Sequence, residues 1–379
     1  MQIFANMKQL GDSLINFLRR RRYLLAAGGA VLLFSCFPSA VEHYYSRGIY
    51  PLFSVPLRWF TSLVPFSWGD LLYAGITLFA IFFLTRFLFL FVVEKKSIYW
   101  MRSIELGVVG MLWVYLIFKL FWGLHYDRPS VGETWKMGEA KYTLKELRDL
   151  NDHLIGELNS QRASIPGDSL PSLTFPEIRQ LTIRAYQSIS KQYPELDWKF
   201  PSLKNSMFAA FGDWIGYTGY YNPFTGEAQI RGELPAIILP YIACHEAAHQ
   251  IGYARESEAS FIGWLAATSA EDARLRYSAA LDIYDQVQME LWRMHALEGD
   301  SAGLRKQLQE NARRLDTLVK SDRQAIRDFF RKRRHRVTPA FNEMYAQYLR
   351  MNGQSGGLQS YREVVGWVLA YERTNGKKK

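Results

Sequence analysis

Residues 244–260 read CHEAAHQIGYARESEAS, and His245, Glu246 and His249 within them form the pattern HExxH. On a helix, positions four apart lie roughly 40° apart on one face and about 6 Å along it, so both imidazoles can reach one ion. Glu246 sits beside them and can approach a metal-bound water without being a ligand. Two neutral nitrogen ligands, a nearby carboxylate base and an open coordination position are what a hydrolytic zinc site needs. With 7 His and 36 Asp+Glu in 379 residues, composition alone gives about 0.01 chance matches to this pattern.

A catalytic zinc usually takes a third protein ligand. If the helix ran on, residue 256 would face as His245 does but about 16 Å further along, too far to share a metal. The helix must therefore stop, and Gly252 is placed to reverse the chain in a left-handed conformation. A second helix starting near Arg255 then presents Glu256 from its first turn, with Ala259 and Gly263 on the same face small enough for close helix packing. Glu258 points elsewhere on that helix and ranks second as the ligand.

Outward from this centre the chain divides by charge. Residues 1–126 carry 12 Lys+Arg against 5 Asp+Glu, and residues 127–379 carry 34 against 31. The basic excess flanks apolar runs, which points to membrane anchoring and away from a nucleic-acid-binding face. Residues 23–41, 71–93 and 106–124 are each apolar enough for about one bilayer crossing, the second interrupted only by Arg86 and the third by Lys119. The first is longer than a signal-peptide core and no clear cleavage site follows, so it reads as an uncleaved anchor. Lys8 and Arg19 to Arg22 before the first run, and Lys95, Lys96 and Arg102 before the third, predict a cytoplasmic N-terminus. Three crossings then place residues 127–379 outside the cytoplasm. The tract Arg331 to Arg336 reads first as a solvated helix face, with contact to anionic lipid heads as the alternative. Two cysteines, Cys36 and Cys244, make no disulfide framework.

The expected fold is thus a membrane protein with three N-terminal transmembrane helices and a mainly α (α+β) soluble domain holding a small sheet or hairpin. Thr143 with Glu146 and Thr174 with Glu177 are capping boxes that open helices to about Ser160 and Tyr193. The pieces TGYYN and EAQIR flank Pro223 to Gly226, a hairpin turn. Long amphipathic stretches follow near 272–298 and 303–332. The run Leu234 to Cys244 has only 11 residues before His245, too short to span and suited to a buried helix of a soluble core.

These motifs resemble the zincin metallopeptidases in which a glutamate on the helix after HExxH is the third ligand. In several such families that glutamate is followed by Ala three positions on and Asp or Asn four positions on. Glu256 and Ala259 match, while Ser260 departs from a position whose side chain normally orients a ligand histidine. HExxHxxGxxxExEA after GYYNPFTGEA, with a late NGQxxGxxSY stretch at Asn352 to Tyr361, is closest to a bacterial membrane-protein family known only as a domain of unknown function. The resemblance implies a zincin-like fold.

The expected activity is hydrolysis of peptide bonds by metal-activated water. Zn2+ would be held by His245, His249 and Glu256, with Glu246 as general base. The expected partners are a peptide or protein substrate and the lipid bilayer, in a bacterial inner membrane. The alternative is an inactive zinc-binding scaffold that recruits a partner. In zincins an edge strand pairs with the substrate, and Tyr220, Tyr221 and Asn222 are the candidates here. Tyr253, Tyr277, His295, Tyr345 and Tyr361 are open candidates for stabilising the oxyanion.

Overall fold

The computed structural model describes residues 2–92, 99–168, 170–333, 335, 337–354, 356–357 and 363–376, with side chains described from Arg19 on except 91–104 and residue 298. The chain forms two compact units, Met1–Tyr50 with Leu71–Arg128, and Pro51–Asp70 with Pro129–Lys379.

The first unit opens with α1 (Gln2–Ser35), which stops three residues before Pro38. A proline disfavours helical backbone in the residue before it, and Phe37 is accordingly at φ −118°, ψ 78°. A π-helical stretch, Val41–Ile49, leads into α2 (Tyr50–Ser62). Then come α3 (Trp68–Val92) and α4 (Tyr99–Phe121). Tyr45 donates to the Leu120 carbonyl at 2.9 Å, and the Tyr50 and His125 rings meet at right angles.

One helix, over Trp68–Leu90, is long and apolar enough to cross a membrane, with none of its apolar window buried; Arg19–Ser35 with Pro38–Ser62 adds a second if that bent pair is one span. Among the described residues, one or two of the three expected spans are thus borne out. The first predicted stretch is broken ahead of Pro38, and the third falls on α4, whose first side chains lie outside the described set. The end of the second stretch, at residue 93, also lies outside it.

The second unit is helical around a three-stranded sheet. Both predicted capping boxes form, opening α5 (Leu144–Ser164) and α6 (Phe175–Ile189). Strand β1 (Leu203–Asn205), helix α7 (Ala209–Ile215), and strands β2 (Gly219–Asn222) and β3 (Glu227–Ile230) follow. The sheet order is β1-β3-β2, with the predicted β2–β3 hairpin antiparallel and β1 parallel to β3. Next come α8 (Leu239–Gln250), α9 (Glu256–Thr268) and α10 (Ala273–Glu298). The stretch expected at 303–332 is two helices, α11 (Ser301–Arg314) and α12 (Thr317–Lys332). They part where Leu315 buries itself and the Asp316 amide bonds to the Asn159 side chain instead of continuing the helix. Helices α13 (Thr338–Met351) and α14 (Val364–Gly376) complete the unit.

The core gathers around α8, whose Ala243, Cys244, Ala247 and Ala248 are fully buried against neighbours such as Phe261, Ile262, Ile283 and Val287. Small residues on α8 let other helices approach its backbone, so the buried face is held at close range on several sides.

The segment Pro51–Asp70 lies in sequence between two apolar stretches yet packs within the second unit. The Lys204 ammonium bonds to the Thr61 carbonyl at 2.6 Å and to that of Val64, at the C-terminal end of α2. Glu227 accepts from the amides of Trp68 and Gly69, at the N-terminal start of α3. A cation at one helix end and an anion at the next complement both helix dipoles. The sheet thereby grips the turn between two helices.

Candidate metal centre

Helix α8 carries His245 and His249 on one face and ends at Gln250. Gly252 takes φ +99°, its amide bonding to the His249 carbonyl at 2.9 Å while the Tyr253 amide reaches the Ala248 carbonyl at 3.2 Å. This left-handed turn is the predicted reversal. Arg255 caps the next helix, and Glu256 is its first residue. A Cβ on Gly263 would come within 2.9 Å of the His245 backbone nitrogen, so glycine is what lets α9 lie this close to α8.

The result brings three donors to one point. His245 Nε2 and His249 Nε2 are 3.1 Å apart, and Glu256 Oε2 is 3.3 Å from the first and 3.5 Å from the second. A tetrahedral ion with bonds of about 2.0–2.1 Å to such ligands separates them by about 3.3 Å. The triangle therefore has the dimensions of one face of a zinc coordination tetrahedron. Among the described residues this is the group of His, Cys, Asp and Glu side chains able to hold a metal ion.

Other contacts fix each ligand. His249 Nδ1 lies 2.6 Å from the Tyr253 carbonyl, so the turn that ends α8 also orients the ring. His245 Nδ1 lies 3.2 Å from the Ser260 hydroxyl. The serine that departs from the zincin pattern thus lies within hydrogen-bond distance of this imidazole. Glu256 accepts from the Tyr345 hydroxyl on α13 at 2.7 Å through its other oxygen, and its amide donates to Gln354 at 3.0 Å. Partners of metal ligands typically affect affinity 10–100-fold. Ser260→Ala is expected to weaken zinc binding by roughly that range. Competition with a chromophoric chelator measures it, and unchanged affinity would deny Ser260 this orienting role.

Glu258 is buried but turned away, accepting from the Val131 amide at 3.0 Å and pairing with Arg255. Glu246 is buried beside the ligands, and its Oε2 has no hydrogen-bond partner among the described residues. Gly219, at the start of β2, approaches it so closely that a Cβ there would be 2.6 Å from Glu246 Oε1. The hairpin backbone therefore runs directly over the carboxylate.

Of the residues proposed on that strand, Tyr220 gives its hydroxyl to the Asp70 carboxylate. Asn222 is fully buried and its side-chain oxygen holds the Phe224 amide at 3.0 Å, a turn-forming contact. Tyr221 lies half-buried on the strand, in register with Ala228. Among the candidates for an oxyanion partner, Tyr345 is at the centre. Tyr277 bonds to Asp322 at 2.8 Å, His295 pairs with Asp300, and Tyr253 contributes its backbone carbonyl. Tyr361 lies outside the described residues.

Burial sets the electrostatics. It pushes the Glu246 carboxyl up to about 8. It also opposes a charge on His249, but the adjoining Glu256 carboxylate overrides this and raises that imidazole to about 9. Burial dominates at His245 and lowers it. Glu256, despite its own burial, is held well below the usual carboxylate range by His249. At pH 7 both His249 and Glu246 therefore carry protons before a cation arrives, and a ligating imidazole must lose its own. Zinc uptake near pH 7 is expected to release about one to two protons, and affinity should fall as pH drops. Calorimetry in buffers of different ionisation enthalpy measures the number, and zero release would contradict the pairing of His249 with Glu256.

A family model described as "Protein of unknown function (DUF3810)" matches residues 45–369, so the chain belongs to that family. No curated protein and no solved structure matches it.

Proposed function

We propose that the protein is a membrane-tethered zinc metallopeptidase of the zincin type. The observation that carries this reading is the triangle of His245, His249 and Glu256 donors at tetrahedral spacing, with the buried carboxylate of Glu246 beside it. Two imidazoles and a carboxylate suit Zn2+, and their three donors leave a fourth position. A bound zinc supplies Lewis acidity and lowers the pKa of water at that position.

The chain's own residues divide the remaining work. Glu246 takes the proton of the attacking water on its carboxylate and returns it to the leaving amine. A nearby dication favours the ionised carboxylate, against the burial that raises it, so the base is adjustable across the neutral range. The outer strand β2 passes over Glu246 and offers backbone groups to an extended peptide. Tyr345, hydrogen-bonded to the far oxygen of Glu256, fixes the carboxylate ligand and stands within reach of the same centre.

The charge pattern along residues 1–126 supports three crossings with the N-terminus in the cytoplasm and the metal centre outside it, in a bacterial inner membrane. Cysteine accessibility at positions 145 and 300 in intact cells tests that orientation, and labelling only after lysis would reverse it. The catalytic reading is tested by incubating the zinc-loaded full-length protein with a mixed peptide library and detecting new termini by mass spectrometry. Cleavage absent in Glu246→Gln is expected; no cleavage of any peptide by the metal-loaded protein would leave a scaffold.

A further inference from the structure

Helix α2 is inside out. Ser54, Arg58 and Thr61, spaced along one face, are 1%, 4% and 2% exposed, while Leu52, Trp59, Phe60 and Leu63 are 50% exposed or more. Arg58 and Thr61 of this face are bonded into the second unit. Arg58 donates to the Gln250 carbonyl at 2.7 Å, and the Thr61 and Ser202 hydroxyls meet at 2.8 Å. A helix in water turns the opposite way, with its apolar stripe inward. An outward apolar face is stable only against another apolar medium, and patches of this kind mark protein or membrane contacts.

A second apolar surface adjoins it. Met207, Phe211 and Trp214 on and before α7 are each more than half exposed. Phe60 of α2 stacks on Trp68 at the start of α3, and Asp70 in the same turn accepts from the Met207 amide at 2.6 Å and from the Tyr220 hydroxyl. Both surfaces therefore meet at the start of the helix that is long and apolar enough to cross a membrane. Basic groups edge the second one. Arg333 lies 3.7 Å from Asp213, His335 stacks on Trp214, and Arg331 and Lys332 are exposed one turn earlier. Exposed tryptophans at the start of such a helix, edged by cations, are the composition of a lipid headgroup layer contact, where aromatic rings and anionic lipids both find partners.

We propose that α2 and α7 lie in the interfacial layer of the lipid bilayer, so that the substrate is a polypeptide segment leaving a membrane rather than a freely diffusing peptide. The occupant is lipid because α2 leads in sequence into a helix long and apolar enough to cross a membrane, and the rim of the second surface is cationic. The metal centre is bound to this face at two places. Arg58 holds the carbonyl of Gln250, the residue after His249, and Tyr220 of the strand over Glu246 holds Asp70. Arg331, Lys332, Arg333 and His335 of the basic tract, first read as a solvated face, become part of the lipid contact. The substrate half of this inference rests on the peptidase reading; the lipid half does not.

The experiment uses the full-length protein, with Cys36→Ser, in nanodiscs of phosphatidylglycerol and phosphatidylethanolamine. A fluorophore is placed on Trp59→Cys, Phe211→Cys or Lys145→Cys, and the lipids carry a nitroxide near the headgroup. Quenching at 59 and 211 but not at 145 is expected; no quenching at 59 and 211 overturns the proposal whatever the activity. In the second arm, one cleavable peptide from the library is offered free and anchored to the same lipids by a transmembrane helix. Anchored substrate should be cleaved on the order of tenfold or more faster, since tethering raises the effective concentration, and the advantage should shrink in Trp59→Ser/Phe211→Ser. Equal rates for the two forms, or an advantage unaffected by the double substitution, refute the substrate half while leaving the peptidase intact. Quenching without cleavage of any peptide removes the peptidase and keeps the lipid face.

Discussion

Glu256→Ala should abolish stoichiometric zinc binding. Its carboxylate supplies one of three donors and the negative charge among them, 3.3 and 3.5 Å from the two imidazole nitrogens. Loss of a group that only orients a ligand already costs about 10–100-fold in metal affinity, so loss of the ligand itself should exceed about 100-fold. A ligand at about 1,000 times its Kd stabilises the folded state by about 4 kcal/mol, and that zinc-dependent increment should vanish from the unfolding curve. Glu258→Ala is the informative control, because Glu258 is equally buried on the same helix but bonded to the Val131 amide and Arg255. It should lower stability with or without zinc and leave metal binding in place. Zinc content by atomic absorption and thermal unfolding with and without chelator read both effects. Metal retained in Glu256→Ala and lost in Glu258→Ala would exchange their roles.

The second large effect is catalytic. Glu246→Gln preserves size and shape under the close approach of Gly219 but removes the proton acceptor. General-base catalysis contributes typically about 10²–10⁴-fold, and the turnover of any peptide found to be cleaved should fall by that factor with zinc affinity little changed. The loss should fall on kcat more than on KM, because proton transfer belongs to the transition state. A scaffold would show the reverse, with no turnover to lose and partner binding unaffected.

The candidate metal centre was legible because its logic is local. Positions 245 and 249 are tied by the helical repeat, Gly252 by the need to reverse the chain, and Glu256 by where the next helix must start. The capping boxes at Thr143 and Thr174 and the hairpin at 219–230 are local in the same sense. Strand β1 was not legible: three residues beside Pro201 carry no alternation long enough to distinguish a strand, and its pairing with β3 is fixed by tertiary contacts. The two helices α11 and α12 read as one because amphipathic periodicity survives a two-residue break. Ser260 and Tyr345 reach the ligands from positions that only the packing of α9 and α13 determines. The placement of Pro51–Asp70 was hidden for another reason. Sequence patterns assume that polar residues face water, and Ser54, Arg58 and Thr61 face protein instead.

The proposed chemistry stands on a metal held by His245, His249 and Glu256. Full-length protein, purified in mild detergent and equilibrated with zinc, should carry about one tightly held ion per chain, and the His245→Ala and Glu256→Ala forms should carry none. A folded wild-type protein that takes up no zinc, or variants that keep it, would contradict the metal centre and with it the proposed chemistry.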